Sequence, residues 1–136
     1  MQEKLKFTVN IDSPIAVYVQ IENQIMFAIA SKRLMAGDRV PPARDMSSML
    51  NVNTNTVIKA YRDLELMGFV TTRRGVGVTV TDKAHKIAQT KASQMVRSHL
   101  WEAVGECLAI GMKPVEIRAA VSEAMDQGAV PYAAAN

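Results

Sequence analysis

Residues 40–80 read VPPARDMSSMLNVNTNTVIKAYRDLELMGFVTTRRGVGVTV. Pro41-Pro42 cannot continue a helix, but Pro42 can open one, and that helix would carry Met46, Met49 and Leu50 inward. A second helix starts near Asn53 or Thr54. At about 100° per residue, Val57, Tyr61 and Leu64 share one face with Ala60 beside them, while Asn55 and Lys59 point nearly opposite. Ile58 and Arg62 flank that polar side. Gly68 is a natural helix terminator. Phe69 to Arg73 and Val76 to Val80 then form two short β-rich runs joined through Gly75, with Val76, Val78 and Val80 alternating with smaller residues as a half-buried strand requires. Helix, turn, helix and hairpin in that order make a winged helix-turn-helix, which presents its second helix to the DNA major groove.

Before this segment, Ser13-Pro14 reads as a helix start, with serine as cap and proline in the first turn. Ile21, Ile25, Ala28 and Ile29 recur at helical spacing on one face. This helix fades near Leu34, ahead of the turn signal Gly37-Asp38. After the segment, Asp82 can cap a helix running to about Ile110, where Gly111 stops it. Ala84, Ile87 or Ala88, Ala92, Met95 or Val96, Leu100, Val104 and Leu108 form a seam along it. Pro114 opens a last helix with Ile117, Val121 and Met125 on one face, ended by Gly128.

Two helices in roughly fifty residues bury too little surface to stand alone. A second copy of the chain, in a C2 homodimer, would cover the seam. The expected organisation is therefore a winged helix-turn-helix DNA-binding domain over residues 12–81, a two-helix dimerisation region over 82–128, and a loose tail over 129–136. The fold class is mainly α with a small β-hairpin. Interface candidates are Ala92, Met95, Val96, Leu100, Trp101, Val104, Leu108, Ile117, Val121 and Met125. A large aromatic such as Trp101 suits an interface or a small pocket, interface burial being favoured.

Composition narrows the function classes. The chain has 136 residues, 49% of them hydrophobic, which is ordinary for a globular fold and argues against disorder. No run approaches the about eighteen apolar residues of a membrane span. The N-terminus lacks the apolar core of a signal peptide, making the cytoplasm the default location. A single cysteine, Cys107, excludes an internal disulfide and a CxxC zinc site. His99, Glu102, Glu106 and Cys107 lie on the long helix and His85 stands alone; without matching ligands on other elements they are surface positions, so neither metal nor cofactor is expected. No nucleophile–base pair, carboxylate dyad or phosphate loop occurs at usable spacing, so an enzyme is not expected. The methionines, nine in all, suit adaptable core packing.

The net charge of +3 says little about a nucleic-acid partner, but its distribution says more. Arg44, Lys59, Arg73 and Arg74 fall on elements expected to face one side, with the acids Asp63 and Glu65 elsewhere on the second helix. A cation at the start of a helix opposes the macrodipole, so Arg44 suits an external anion, either a phosphate or guanine O6 and N7. Asn53, Thr54, Asn55 and Thr56 form a polar helix tip. Asn53 is the favoured cap and Asn55 the favoured base reader, since asparagine pairs bidentately with adenine. Lys59, one turn on, suits a phosphate. Gly75 lets the hairpin backbone approach a sugar-phosphate chain, and Arg73 and Arg74 could enter a minor groove.

With these residues placed, the chain resembles the GntR family of transcription regulators, and its YtrA-type branch in particular. Pro14 with Tyr18-Val19-Gln20-Ile21 loosely follows the opening Pro-x-Tyr-x-Gln-Ile pattern. Gly37-Asp38-Arg39-Val40-Pro41 follows the Gly-Asp-x-Leu-Pro turn, and Arg44 takes the place of an arginine entering the second helix. Asn53-Thr54-Asn55-Thr56-Val57 and Lys59-Ala60-Tyr61 follow the recognition helix; Leu64-Glu65, Gly68 and Arg74-Gly75-x-Gly77 follow its end and the wing. The sequence departs from the pattern at Thr54, where proline is usual, at Val76, frequently basic, and at Thr79, often a large aromatic. The resemblance covers about residues 12 to 128, and the short region after the wing fits the branch's two-helix dimerisation region. It implies a bacterial repressor that binds double-stranded DNA at a palindromic operator, often of a transport-related operon. Other readings are a sensor with a small-molecule effector at the dimer interface near Trp101, and a protein-interaction adaptor that kept the fold alone.

Overall fold

The structure is a computed structural model that describes residues 5–128; the tail expected over 129–136 lies outside them. Five helices and one hairpin follow in the order α1 (Val17–Ala30), α2 (Ala43–Leu50), α3 (Thr54–Leu66), β1 (Val70–Arg73), β2 (Gly77–Val80), α4 (Ala84–Ala109) and α5 (Pro114–Asp126). The chain divides into two compact units, the first ending at Ala92 and the second starting at Ser93.

The core of the first unit is built on α1 and α3. Ile21, Ile25, Ala28 and Ile29 of α1 are buried, as are Val57, Ala60, Tyr61 and Leu64 of α3, with Met46 of α2 and Phe69 beyond the end of α3. The apolar spacing of both helices thus decides which faces meet.

Helix α1 begins later than Ser13-Pro14 suggests. Ser13 Oγ accepts from the Ile15 amide at 3.1 Å, and Gln20 Nε2 donates to the Ile15 carbonyl at 2.8 Å. The Ser13 bond is of the capping kind, but the Ile15 carbonyl is engaged by the Gln20 side chain, and the first helical residue is Val17. Gln20 also exchanges bonds with Asn10, and Gln24 with Thr8. Two buried glutamines therefore act as strand-like partners for the leading segment. At its other end the helix stops at Ala30, and Lys32 adopts a left-handed φ of 65°.

Two further expectations are corrected. Met49 of α2 faces outward at 52% exposure, because Ser47 takes the inner position and bonds the Arg44 carbonyl and Thr54. In β2, Thr79 is buried to 4% exposure while Val76 is exposed. Val76 belongs to the turn, its amide bonding the Arg73 carbonyl. The outer edge of β2 is covered by residues 38–40: Arg39 bridges Thr79, the Val40 amide donates to Val78, and the Val80 amide donates to Asp38. The hairpin itself pairs Val70 with Val80 through Arg73 with Gly77. Its sheet is thus extended by a third chain segment along the outer edge of β2.

The long seam on α4 is not uniform. Ala84, Ala88 and Ala92 are buried in the first unit, where His85 Nδ1 meets the Ile29 carbonyl at 3.1 Å and Gln89 donates to that of Ala30. In the second unit, taken by itself, only Ile117 reaches full burial among the described residues; Leu100 and Leu108 remain 53% and 51% exposed and Trp101 72%. Gly111, at φ 91°, turns the chain, and the Lys113 amide donates to Glu116 Oε1 as α5 starts on Pro114.

Candidate nucleic-acid interface

The polar tip of α3 is fixed from both sides. Asn53 is the N-cap, its side-chain oxygen accepting from the Asn55 amide at 2.7 Å. Ahead of it, Asn51 takes a left-handed φ of 53° that turns α2 into α3. The Ser47 and Thr54 hydroxyls lie 3.0 Å apart and join the two helices directly. Deeper in the unit, the Tyr61 hydroxyl donates to the Pro41 carbonyl at 2.6 Å, holding the entry of α2 against α3. Burial, then the Asp45 charge, pushes the Tyr61 hydroxyl well above its ordinary range, so it remains a donor.

Asn53, Thr54 and Asn55 are exposed and Thr56 is half-buried. Arg44 is exposed in the first turn of α2. Arg73 ends β1, and Arg74 and Gly75 form the exposed hairpin turn. Gly75 has a φ of 80°, with nothing within 4 Å of the place a Cβ would occupy, so backbone conformation rather than crowding selects glycine.

Lys59 departs from expectation. Its ammonium lies 3.6 Å from Asp63 Oδ2 and 4.6 Å from the centre of the Tyr18 ring. Asp63 is therefore not remote from the basic positions: one helical turn after Lys59, it shares that side of α3. An exposed pair of this spacing contributes about 0.3–0.5 kcal/mol, little enough for Lys59 to leave toward a phosphate.

Beside this pair stands a group that inspection of the motifs misses. Glu22 of α1 has its carboxyl pushed up to about 7, first by burial, then by a hydrogen bond to Asp63 and by the Asp63 charge, with Lys59 pulling the other way. Its Oε2 is buried without a hydrogen-bond partner among the described residues.

In the second unit, Leu100, Val104 and Leu108 of α4 and Pro114, Ile117, Arg118 and Val121 of α5 line an open apolar groove of about 400 Å³. Trp101 is not among its lining residues; its neighbour Leu100 is. Of the interface candidates, Ala92 and Ile117 are already buried within the chain, which leaves them little area to offer a partner. Among the described residues no helix is long and apolar enough to cross a membrane, and no group of three or more His, Cys, Asp or Glu side chains could hold a metal ion.

Residues 17–80 match the family described as bacterial regulatory proteins, gntR family. YhcF of Bacillus subtilis (strain 168), named an uncharacterized HTH-type transcriptional regulator, is 37% identical over 75 residues, which are 55% of this chain and 62% of YhcF. The chain thus spans less than two thirds of that relative's length. Among solved structures, YtrA from Sulfolobus acidocaldarius, described as a GntR-family transcription factor, is 31% identical with a TM-score of 0.53, covering 71% of this chain and 94% of that one. A transcriptional antiterminator from Listeria monocytogenes EGD-e is 28% identical with a TM-score of 0.66, covering 89% of this chain and 90% of its own. These names come from transcription, and none is that of an enzyme.

Proposed function

Because this chain belongs to the GntR family of bacterial regulatory proteins, we propose that it is a homodimeric, sequence-specific DNA-binding regulator that represses at a palindromic operator. The observation that carries this reading is the tip of α3, where four exposed or half-exposed polar residues, Asn53 to Thr56, are held by a cap and by the Ser47–Thr54 contact. Side chains on a fixed helix end can read base edges without a large ordering cost. Asn55 is the base reader in this account. Arg44 and Lys59 neutralise phosphate, and Arg74, with Arg73 beside it, enters the minor groove next to the site.

Dimerisation is supported by the apolar groove between α4 and α5. Leu100, Leu108 and Val121 all stay exposed there, and such residues contribute stability only when covered. Two copies joined this way would present two α3 helices to half-sites about one DNA turn apart. The groove also suits an apolar effector. Such a ligand would meet Leu100 and Val104 rather than Trp101, and quenching of tryptophan fluorescence on titration would then be indirect.

Selection of bound DNA from a random pool tests the proposal. A recovered palindrome, whose binding weakens steeply with salt, is the expected result. Asn55→Ala should relax preference at one position per half-site, whereas Lys59→Ala should weaken all sequences alike. Selection without enrichment, or Asn55→Ala with unchanged preference, would refute the assignment of α3.

A further inference from the structure

Where α1 meets α3, two carboxyls and an amine from separate helices are gathered beside the surface assigned to DNA. Lys59 lies over Tyr18 and pairs with Asp63 at 3.6 Å; Glu22 follows Tyr18 by one helical turn, as Asp63 follows Lys59, and the Asp63 carboxylate helps to push the Glu22 carboxyl up. Two neighbouring carboxyls favour a proton on one of them. Glu22 is the one placed to hold it, since its Oε2 is buried without a partner among the described residues. Ionising it would bury an unpaired anionic oxygen next to a second carboxylate, and both effects oppose ionisation.

We propose that the Glu22–Asp63 pair is a proton-operated positioning device for Lys59 that couples DNA binding by α3 to proton uptake. This rests on the reading of α3 as the DNA-contacting helix. With the proton on Glu22, the cluster holds one negative and one positive charge, and Asp63 alone restrains the lysine. With the proton gone, two carboxylates face a single ammonium. Lys59 is then held more firmly, and the cluster turns a net negative charge toward the phosphates.

The linkage has one sign throughout. Lys59 is the group that favours ionised Glu22. Moving Lys59 to a phosphate removes that support, and the DNA brings further negative charge, so bound DNA raises the proton affinity of Glu22. Reciprocally, the proton raises the affinity for DNA. The groups facing Glu22 are Asp63 and Lys59 from α3 and, one turn back on its own helix, Tyr18. With the carboxyl held at about 7, the device operates around neutral pH.

The test uses the full chain and DNA recovered by the pool selection, with affinity measured by fluorescence anisotropy at fixed salt between about pH 6 and about pH 8, the span around the Glu22 midpoint. Kd should rise with pH, by about fivefold per half-site over this span if the complex holds the proton one pH unit more tightly. Glu22→Gln should keep the acid-side affinity across the range. Asp63→Asn should bind more tightly and move the pH dependence to lower pH, because it removes the restraint on Lys59 and the partner charge on Glu22 while the burial of Glu22 remains. A flat wild-type profile, or a slope retained in Glu22→Gln, overturns the coupling. If no DNA is bound, the assignment of α3 falls and the coupling with it. The proton device is then judged by carbon NMR of the Glu22 carboxyl in the free protein. A midpoint near neutrality that also moves the Lys59 signals upholds it, and one in the ordinary carboxylate range overturns it.

Discussion

Replacing Glu22 by Gln should stabilise the fold at alkaline pH and have little effect in acid. The carboxyl is held at about 7 in the fold against an ordinary 4.5, chiefly by burial and next by Asp63. As pH rises past the ordinary value, the unfolded chain releases this proton while the folded chain keeps it. Relative stability therefore declines up to about pH 7 and stays reduced above it. At full strength the loss is about 3.4 kcal/mol, taking 1.36 kcal/mol per pH unit. Glu22 is only part-buried, so solvent screening brings the expectation to about 1–2 kcal/mol. Gln fills the same volume, its amide can donate to Asp63, and it has no proton to lose. Urea unfolding at about pH 5 and about pH 8 reads the difference; with a slope of about 1–3 kcal/mol per molar, the Gln variant should gain about 0.5–1 M in midpoint at the higher pH relative to the lower. An equal gain at both pH values would mean that Glu22 carries no bound proton in the fold. A larger gain in acid would mean that it is ionised there and stabilised by Lys59.

Three other perturbations test the fold and the interface. Phe69→Ala empties a fully buried site and should cost about 3–5 kcal/mol, seen as a lower urea midpoint with an unchanged slope. Thr54→Val keeps shape but removes the 3.0 Å contact with Ser47; a loss of about 1 kcal/mol in stability is expected, together with weaker binding to the selected DNA. Val104→Glu places a carboxylate in the apolar groove and should turn the proposed dimer into a monomer by sedimentation, while circular dichroism keeps the helical signal.

How much of this could be read in the sequence depended on the range of the interactions. The helix-turn-helix was legible because several local signals agreed: the Asn53 cap, the Val57–Ala60–Tyr61–Leu64 face, and Gly68, which has a φ of 90°. The start of α1 was misleading because Ser13-Pro14 is a sound local signal overridden by the Gln20 side chain, which claims the Ile15 carbonyl. In β2 the alternation found the buried Val80 but missed the burial of Thr79, which is bridged to Arg39 outside the hairpin, a neighbour that a strand's own alternation does not reveal. On α4 a signal was present but unused. The seam changes from alanine at positions 84, 88 and 92 to leucine and valine at 100, 104 and 108. The small side chains are the ones buried within the first unit, whereas the bulkier ones line the groove of the second.

The candidate site divides the same way. The exposed positions of Arg44, Asn55 and Arg74 were legible because they need only helix phase and a turn. Lys59 was half legible: Lys59 and Asp63 stand four apart on a helix, which is the spacing of a side-chain pair, so the pairing was available from sequence. Glu22 looked like a solvated charge because its partner Asp63 lies on another helix, and no local rule joins them. One indication did exist. Glu22 precedes Ile29 by seven residues, which at about 100° each places it roughly 20° from a core direction. Ile29 is fully buried. A lone glutamate in phase with a buried isoleucine has to be neutral, paired or costly. Here a second carboxylate opposes ionisation while Lys59 favours it, and together with burial this shifts the carboxyl toward its neutral form.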